Sequence, residues 1–308
     1  MNATKMDFQS KKRITIMLMA ALAALLALCI IIVAVAGIFN ALSSGVSFSN
    51  GLPADKMTGD VATKTDSLYG SLILVNNSHE YTFPSEDHIA ENNDHLVNIY
   101  TYNINNNGNY TFSGSNLWLH KSAVEPTHNM LNKMAADMGI TYMITSAYRT
   151  LDDQKAIANS DVGAGFSDHH TGYCFSMRSE NGSLSPEDYE WLHENAHNYG
   201  FIIRYPESKA PSTGVSGYPN CMRYVGTAHA NLMKEKGLCL EEYIDYLKEN
   251  AKTDPIGVKC DNGEEYFVYY YSFEGKQINI RVPQDADKYP YTVSGTNDGG
   301  IVVTVKVK

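Results

Sequence analysis

The sequence predicts an α+β protein that begins with a transmembrane helix and ends in a small all-β domain. Residues 14–39 carry no charged side chain, a composition typical of a membrane-spanning helix. From about residue 67 to residue 250, short β-branched or aromatic runs alternate with segments whose apolar residues recur at helical spacing. After residue 252 only strand-like runs remain, separated by Gly, Pro, Asn and Asp.

The N-terminal segments are predicted to be a cytoplasmic stub, residues 1–13, and a membrane anchor, residues 14–39. As a helix, 26 residues rise about 39 Å, enough to cross a hydrocarbon core ~30 Å thick. The basic residues at positions 11–13 keep the first end in the cytoplasm, so the chain after the span lies outside. A cleaved signal peptide is the alternative, but its apolar region is usually only about 7–15 residues. The prediction is therefore a single-pass protein of the cell membrane with an extracytoplasmic C-terminal part.

The remaining chain divides by composition into a linker and two domains. Residues 40–66 are rich in Ser, Gly, Asn and Asp without apolar periodicity, which predicts a linker. The first domain is predicted over residues 67–250, with Ser185 as the N-cap of one helix. Its predicted strands span 71–76, 142–146 and 201–204, and its predicted helices span 126–139, 152–159, 186–199, 229–236 and 241–250. The all-β domain, residues 251–308, is predicted to have strands at 266–271, 277–282, 291–294 and 301–306.

Charge and cysteine content narrow the function classes. The formal net charge is −10, and no cluster of Lys and Arg follows residue 13, so nucleic acid is excluded as a partner. One cysteine, Cys29, lies in the predicted span. The other four are even in number and extracytoplasmic, a setting that permits disulfides without requiring them. These four are Cys174, Cys221, Cys239 and Cys260.

Three blocks in the middle of the chain carry a family resemblance. Residues 146–150 read S-A-Y-R-T and are followed by Gln154, residues 167–176 read S-D-H-H-T-G-Y-C-F-S, and residues 218–226 read Y-P-N-C-M-R-Y-V-G. With the stretch that connects them, they resemble the VanY-like D,D-carboxypeptidases and their L,D-carboxypeptidase relatives, zinc peptidases that trim bacterial cell-wall stem peptides. The resemblance implies a carboxypeptidase-like domain, in which helices flank a small antiparallel sheet.

The resemblance also implies which positions would carry the chemistry. The family's zinc ligands fall on His169, Ser176 and Cys221, its general base on Tyr218, and the arginine that steadies the oxyanion on Arg149. Only His169 and Arg149 match the family pattern. A phenol keeps its proton at neutral pH and cannot replace a carboxylate base. The resemblance therefore predicts no catalytic residue and no metal. The residues then predicted to bind a substrate peptide are Arg149, Gln154, Ser167 and His169.

Cys174 is a further candidate residue of this site. It lies two residues before Ser176, so on a strand both side chains would point to the same face. Three states of Cys174 and Cys221 stay open: apolar packing as free thiols, a disulfide, or a remodelled zinc site that includes His169. Zinc is the one cofactor considered, and none is expected unless the site is remodelled in this way.

A second zinc motif lies in the helix predicted at residues 186–199. His193, Glu194 and His197 have the spacing H-E-x-x-H, in which two helical imidazoles bind zinc. In the family that the chain resembles, Trp191 and Tyr199 of this helix pack inward. We therefore expect both histidines on its outer face.

These observations predict a membrane-anchored, extracytoplasmic, carboxypeptidase-like pseudoenzyme that binds a peptidoglycan stem peptide or a partner protein at the cell surface. Two alternatives stay open. One is an active metallo D,D- or L,D-carboxypeptidase with a remodelled zinc site, and the other is a structural or assembly scaffold of the cell surface.

Overall fold

The computed structural model describes residues 51–308, apart from 93–94, 158–161 and 253. The predicted stub, the predicted anchor and residues 40–50 of the predicted linker lie outside these residues. None of the described helices combines the length and the apolar character that a membrane crossing requires.

The described elements are a mixture of helices and strands up to residue 250 and are strands thereafter. The strands are β1 (Met57–Thr63), β2 (Leu96–Asn98), β3 (Tyr110–Phe112), β4 (Trp118–His120), β5 (Tyr142–Ser146), β6 (Cys174–Ser179), β7 (Phe201–Tyr205), β8 (Tyr218–Tyr224), β9 (Ile256–Lys259), β10 (Glu265–Ser272), β11 (Gln277–Pro283), β12 (Tyr291–Gly295) and β13 (Gly300–Lys306). The helices are α1 (Glu86–Asn92), α2 (Ile99–Asn105), α3 (Lys121–Met138), α4 (Leu151–Lys155), α5 (Pro186–Asn195), α6 (Ala210–Thr213), α7 (Thr227–Lys236) and α8 (Leu240–Asn250). The α+β prediction is confirmed.

The main sheet has five strands in the order β3-β5-β6-β8-β7. Strands β3 and β5 run parallel, and every other neighbouring pair is antiparallel. The sheet is therefore mixed, and the expectation of an antiparallel sheet is wrong at this pair, whose strands are joined by a helical crossover. This order places β6 and β8 side by side in the interior of the sheet. The two motif blocks that carry the cysteines, far apart in sequence, thereby become neighbours.

Helix α3 covers this sheet with an apolar face that includes Met130, Leu131 and Met134. The helix begins earlier than the sequence predicts, because the His120 side chain accepts a hydrogen bond from the Ser122 backbone amide and caps it. Its end agrees with the prediction. Gly139 follows Met138 with φ 68°, the left-handed conformation that stops a helix.

The prediction of a strand at residues 71–76 is wrong. The segment is buried, but it has no neighbouring strand over its length. Its carbonyl groups instead accept hydrogen bonds from arginine side chains: Arg223 donates to Ser71 and Ile73, and Arg204 donates to Val75. An apolar run in the sequence indicates that the segment is buried. It does not distinguish a strand in a sheet from a segment whose carbonyl groups accept hydrogen bonds from side chains.

Strand β1 lies inside the range predicted to be a linker. It pairs antiparallel with β11, and Met57 faces Pro283 at one end of the ladder. Most side chains of β1 are exposed, so its sequence shows no apolar alternation. Its partner lies more than 200 residues away, and the pairing is therefore invisible to local patterns.

The C-terminal β region is present, with all four predicted strands and one more, β9. Its sheet has the order β12-β13-β10-β9. Helices α7 and α8 pack against it, so that Leu232 and Ile244 share one apolar cluster with Val258, Val268 and Val302. The helices before residue 250 and the strands after it thus bury a common core.

Candidate functional site

The candidate site lies where β6 and β8 pair. Ser176 stands directly opposite Cys221, and Cys174 stands opposite Arg223. Because side chains alternate along a strand, Cys174, Ser176 and Cys221 share one face of the sheet. The prediction that Cys174 faces the same side as Ser176 is confirmed by this register.

A short 3-10 helix, Asp168–Thr171, precedes β6 and brings His169 to the same place. It ends at Gly172, which has φ 73°. A side chain at this position would put its Cβ 2.7 Å from Cδ2 of Leu96 and 3.1 Å from the backbone nitrogen of His120. The turn that positions His169 therefore depends on a glycine.

Hydrogen bonds define the protonation of the buried His169 ring. Its Nδ1 lies 2.7 Å from the carbonyl oxygen of Ala147, which accepts only, so Nδ1 carries the proton. The unprotonated Nε2 then accepts from the Ser176 hydroxyl at 3.2 Å. Nε2 and the two cysteine sulfurs all lie within 4.8 Å of one another. Among the described residues, this is the one group of three or more His, Cys, Asp or Glu that meets that limit.

Cys174 and Cys221, the cysteine pair, are free thiols whose Sγ atoms lie 2.6 Å apart. Both are buried, and Tyr205 and Val215 pack around them. A hydrogen bond from the Cys174 thiol lowers the pKa of Cys221, whereas burial raises the pKa of Cys174 well above its usual range.

The donor types at this site suit zinc, but their spacing does not. Two thiolates bound to tetrahedral zinc, each at a Zn–S distance of about 2.3 Å, lie about 3.8 Å apart. The sulfurs of Cys174 and Cys221 are more than 1 Å closer than that. The third matched position offers only Ser176, whose hydroxyl already donates to His169. The spacing of the two sulfurs therefore does not fit a metal site.

Tyr218, at the position of the family's general base, begins β8 and pairs with Tyr205 of β7. The residue is 45% exposed. No side chain of Asp or Glu replaces the missing carboxylate among the described groups that cluster with His169 and the cysteine pair.

Arg149 and Gln154, predicted to belong together, do so. The Nε of Arg149 donates to the Ser146 hydroxyl at 2.9 Å, and its Nη1 donates to Oε1 of Gln154 at 3.0 Å. Gln154 is held in turn, because its Nε2 donates to the carbonyl oxygen of Val162 at 3.0 Å. Burial lowers the pKa of the Arg149 guanidinium. Among the described residues no carboxylate forms an ion pair with Arg149, and Nη2 has no acceptor.

Ser167 and His170 form hydrogen bonds to the backbone of His169 and Arg149. The buried Ser167 hydroxyl accepts from the His169 backbone amide at 3.4 Å and caps the 3-10 helix. The His170 ring donates from Nδ1 to the Arg149 carbonyl at 2.8 Å and accepts at Nε2 from the Gly165 amide at 3.0 Å. Both residues hold the backbone around His169 and Arg149.

A cavity of about 240 Å³ lies beside these residues. Its walls are mainly aromatic or apolar and include His170, whose backbone neighbour is His169. Residues that line it include Tyr81, Phe83, Leu96, His120, Tyr148 and His170.

Sequence reasoning missed the role of Asp168. Its carboxylate accepts from Arg204 and Arg223, and the Tyr205 hydroxyl lies 3.4 Å away. Arg204 also pairs with Glu241 at 2.7 Å. These charges anchor the residue before His169 to β7, β8 and α8. The sequence offered no signal for these ion pairs beyond the presence of the charged residues themselves. The residues that pair are spread over more than 70 positions, so no local pattern connects them.

The expectation for the H-E-x-x-H motif is wrong at His197. His193 is exposed, but His197 is buried, with its Nε2 2.9 Å from Oδ2 of Asp261 and 3.1 Å from Nζ of Lys234. The cause is local, since α5 ends at Asn195 and residues 196–199 form a 3-10 turn. The change of pitch rotates His197 inward and destroys the shared helical face.

Comparisons with known proteins agree with the motif blocks. The family model described as D-alanyl-D-alanine carboxypeptidase, VanY, matches residues 116–227. A D-alanyl-D-alanine carboxypeptidase of Enterococcus faecium is 34% identical over 250 residues, which cover 79% of this chain and 77% of the relative. One of Enterococcus faecalis is 33% identical over 130 residues, 35% of this chain and 48% of the relative. The crystal structure of the vancomycin resistance D,D-dipeptidase VanXYg, in complex with a D-Ala-D-Ala phosphinate analog, has the same fold. Its TM-score is 0.65 and its identity 24%, covering 81% of this chain and 99% of that chain.

Proposed function

Because the chain belongs to the VanY family of D-alanyl-D-alanine carboxypeptidases, we propose that it is a membrane-anchored, extracytoplasmic protein that binds peptidoglycan stem peptides without cleaving them. The observation that carries this proposal is Arg149, a partly buried cation with no carboxylate partner among the described residues. The ligand group that it would take is the C-terminal carboxylate of the peptide.

The binding argument follows from the cost of an unpaired charge. Moving a cation out of water is unfavourable unless an opposite charge compensates for it. Ser146 and Gln154 orient the Arg149 guanidinium but supply no charge, and Nη2 stays available. A planar guanidinium recognises carboxylates through paired hydrogen bonds. The aromatic cavity next to His170 offers apolar surface for the side chains or the methyl groups of a D-Ala terminus.

The argument against cleavage rests on what stands at the reactive positions. A metallopeptidase needs a metal-bound water and a base that takes its proton. Tyr218 supplies a phenol in place of a carboxylate, and a positioned base contributes about 10²–10⁴ in rate. Ser176 is engaged by His169, and the sulfurs of Cys174 and Cys221 are too close together for two zinc ligands. We therefore expect the chain to bind the stem peptide without cleaving it.

The test uses the full-length protein in detergent micelles and a synthetic pentapeptide that ends in D-Ala-D-Ala. Calorimetry should detect saturable binding that is weakened at least tenfold in Arg149→Met and with a C-terminally amidated peptide. Arg281→Met is the matched control. Arg281 lies on β11 and donates to the backbone of Ala54, so its loss should leave the affinity unchanged.

The same samples, with and without added zinc, are assayed for D-alanine by mass spectrometry. No release is expected. Release that a chelator abolishes would establish the active metallopeptidase and overturn the proposal of inactivity. Absence of both binding and release would favour a scaffold.

A further inference from the structure

The cysteine pair occupies an unusual place in the sheet. Cys174 and Cys221 are diagonal neighbours on β6 and β8, because Cys174 faces Arg223 and Cys221 faces Ser176. Diagonal partners in a flat ladder are typically about 7–8 Å apart, but the right-handed twist of a sheet shortens one of the two diagonals. The Sγ atoms in contact show that the cysteines occupy the short one.

The surroundings favour an uncharged link between the two sulfurs. Both cysteines are buried within an apolar cluster with Tyr205 and Val215. The His169 ring has the Ala147 carbonyl and the Ser176 hydroxyl as hydrogen-bond partners, and it also interacts with the Cys221 sulfur. A disulfide has no charge to desolvate and no S–H donor to satisfy, whereas each free thiol in this apolar cluster carries a donor.

We propose that Cys174 and Cys221 form an intramolecular disulfide that ties β6 to β8 and takes the structural place of a metal ion in this sheet. The inference is independent of ligand binding, because it rests only on the register and burial of the two cysteines. The other cysteines of the described chain, Cys239 and Cys260, are free and are not paired with each other or with this site.

The oxidant required is a low-molecular-weight disulfide, such as glutathione disulfide. The Cys221 thiol loses its proton to solvent, and its sulfur attacks one sulfur of the oxidant, so that the S–S bond of the oxidant breaks, a mixed disulfide forms and one glutathione thiolate leaves. The Cys174 thiol then loses its proton to that thiolate, and its sulfur attacks the Cys221 sulfur and displaces the second glutathione as a thiolate, which takes a proton from solvent. Two thiols lose two electrons in total, and one glutathione disulfide is reduced to two glutathione molecules.

The linkage is tested on the full-length protein in detergent, which has five cysteines. Samples incubated with glutathione disulfide or with dithiothreitol are denatured in N-ethylmaleimide, and the adducts are counted by mass spectrometry. We expect five adducts after reduction and three after oxidation. Trypsin digestion of the oxidised sample should yield residues 156–178 linked to residues 210–223, each of which contains one cysteine of the pair.

Stability provides the second measurement. The bond closes a loop of about 48 residues, and we expect the oxidised protein to melt roughly 5–10 °C above its reduced form. In Cys174→Ser and in Cys221→Ser, the oxidised and reduced samples should melt at the same temperature. Each variant is compared with itself, so a general loss of stability does not obscure the result. Cys239→Ser is the matched control and should retain both the linked peptides and the shift in melting temperature.

Three results would overturn the inference. The first is five adducts after oxidation. The second is a linkage that involves Cys239 or Cys260 instead. The third is a pair of thiols that are protected but not linked, with one equivalent of zinc bound and with both thiols released by a chelator, because that outcome identifies a metal site.

Discussion

Asp168 and Arg223 form an ion pair in which neither side chain is exposed to solvent, although 55 residues separate them. The same carboxylate pairs with Arg204, which is also fully buried. Buried guanidinium groups need this compensation, because removing one partner leaves an uncompensated charge in the interior. This network of buried ion pairs therefore holds the 3-10 turn that carries His169 against the sheet.

Replacing Asp168 with Asn should therefore be strongly destabilising. The amide keeps the shape of the side chain but removes its charge, so that Arg204 keeps only Glu241 as an acidic partner and Arg223 loses its ion pair. We expect the free energy of unfolding to fall by about 3–5 kcal/mol. Urea unfolding followed by circular dichroism measures it. Asp152→Asn, at an exposed position, should change stability by no more than about 0.5 kcal/mol. A similarly small change for Asp168→Asn would contradict the importance of the network.

Gln154 should tune the affinity of Arg149 for a carboxylate ligand. Gln154→Ala removes the hydrogen bond that orients Nη1, and the loss of one such bond predicts about a 5- to 10-fold weaker binding of the stem peptide. Gln154→Glu should weaken it further, because an internal carboxylate would then compete with the ligand for the guanidinium. Calorimetry with the pentapeptide ranks the three proteins. Tighter binding by Gln154→Glu would contradict the assignment of Arg149 to the ligand carboxylate.

His229 predicts how stability depends on pH. Its ring is fully buried between the Tyr243 hydroxyl, 2.7 Å from Nδ1, and the Thr304 hydroxyl, 2.8 Å from Nε2, and burial lowers its pKa to about 3. An unfolded histidine has a pKa of about 6.5. Between these two values the unfolded chain binds more protons than the folded protein, so stability falls as the pH is lowered through this window.

The expected loss attributable to His229 is about 2 kcal/mol between pH 7.5 and pH 5.0. It is obtained from urea unfolding at both pH values as the difference between the wild type and His229→Gln. The comparison removes the contributions of His170 and His197, whose pKa values burial also lowers. An equal pH dependence in both proteins would show that His229 is not the group responsible.

Residues 14–39 should determine whether the protein is attached to the membrane. We expect the full chain to stay with the membrane fraction after washing with high salt, because about 26 apolar residues insert far more strongly than any surface charge binds. A chain that lacks residues 1–39 should move to the soluble fraction. Protease added to cells without walls should digest the region after the span in the full chain. Its protection in intact cells would place that region in the cytoplasm and contradict the predicted orientation.

Several elements were predictable because their signals are local. Ser185 and Asp188 cap one end of α5 by reciprocal hydrogen bonds, and Gly139 stops α3, so both helix limits are readable from neighbouring residues. The common face of Cys174 and Ser176 follows in the same way from the period of two along a strand. The motif blocks placed Arg149 and Gln154 together, and the structure joins them by a hydrogen bond.

The sequence by itself determined the α+β class, the four predicted C-terminal strands, the family and the positions at which the chain departs from the family's reactive residues. Only the tertiary structure decided that β1 pairs with β11, that arginine side chains cover residues 71–76 and that His197 turns inward. It also decided that Cys174 and Cys221 touch. The physical reason is the range of the interactions. Caps and periodicity act over a few residues, whereas ladder register, buried charge pairs and sulfur contacts form between segments that become neighbours only when the chain closes around its core.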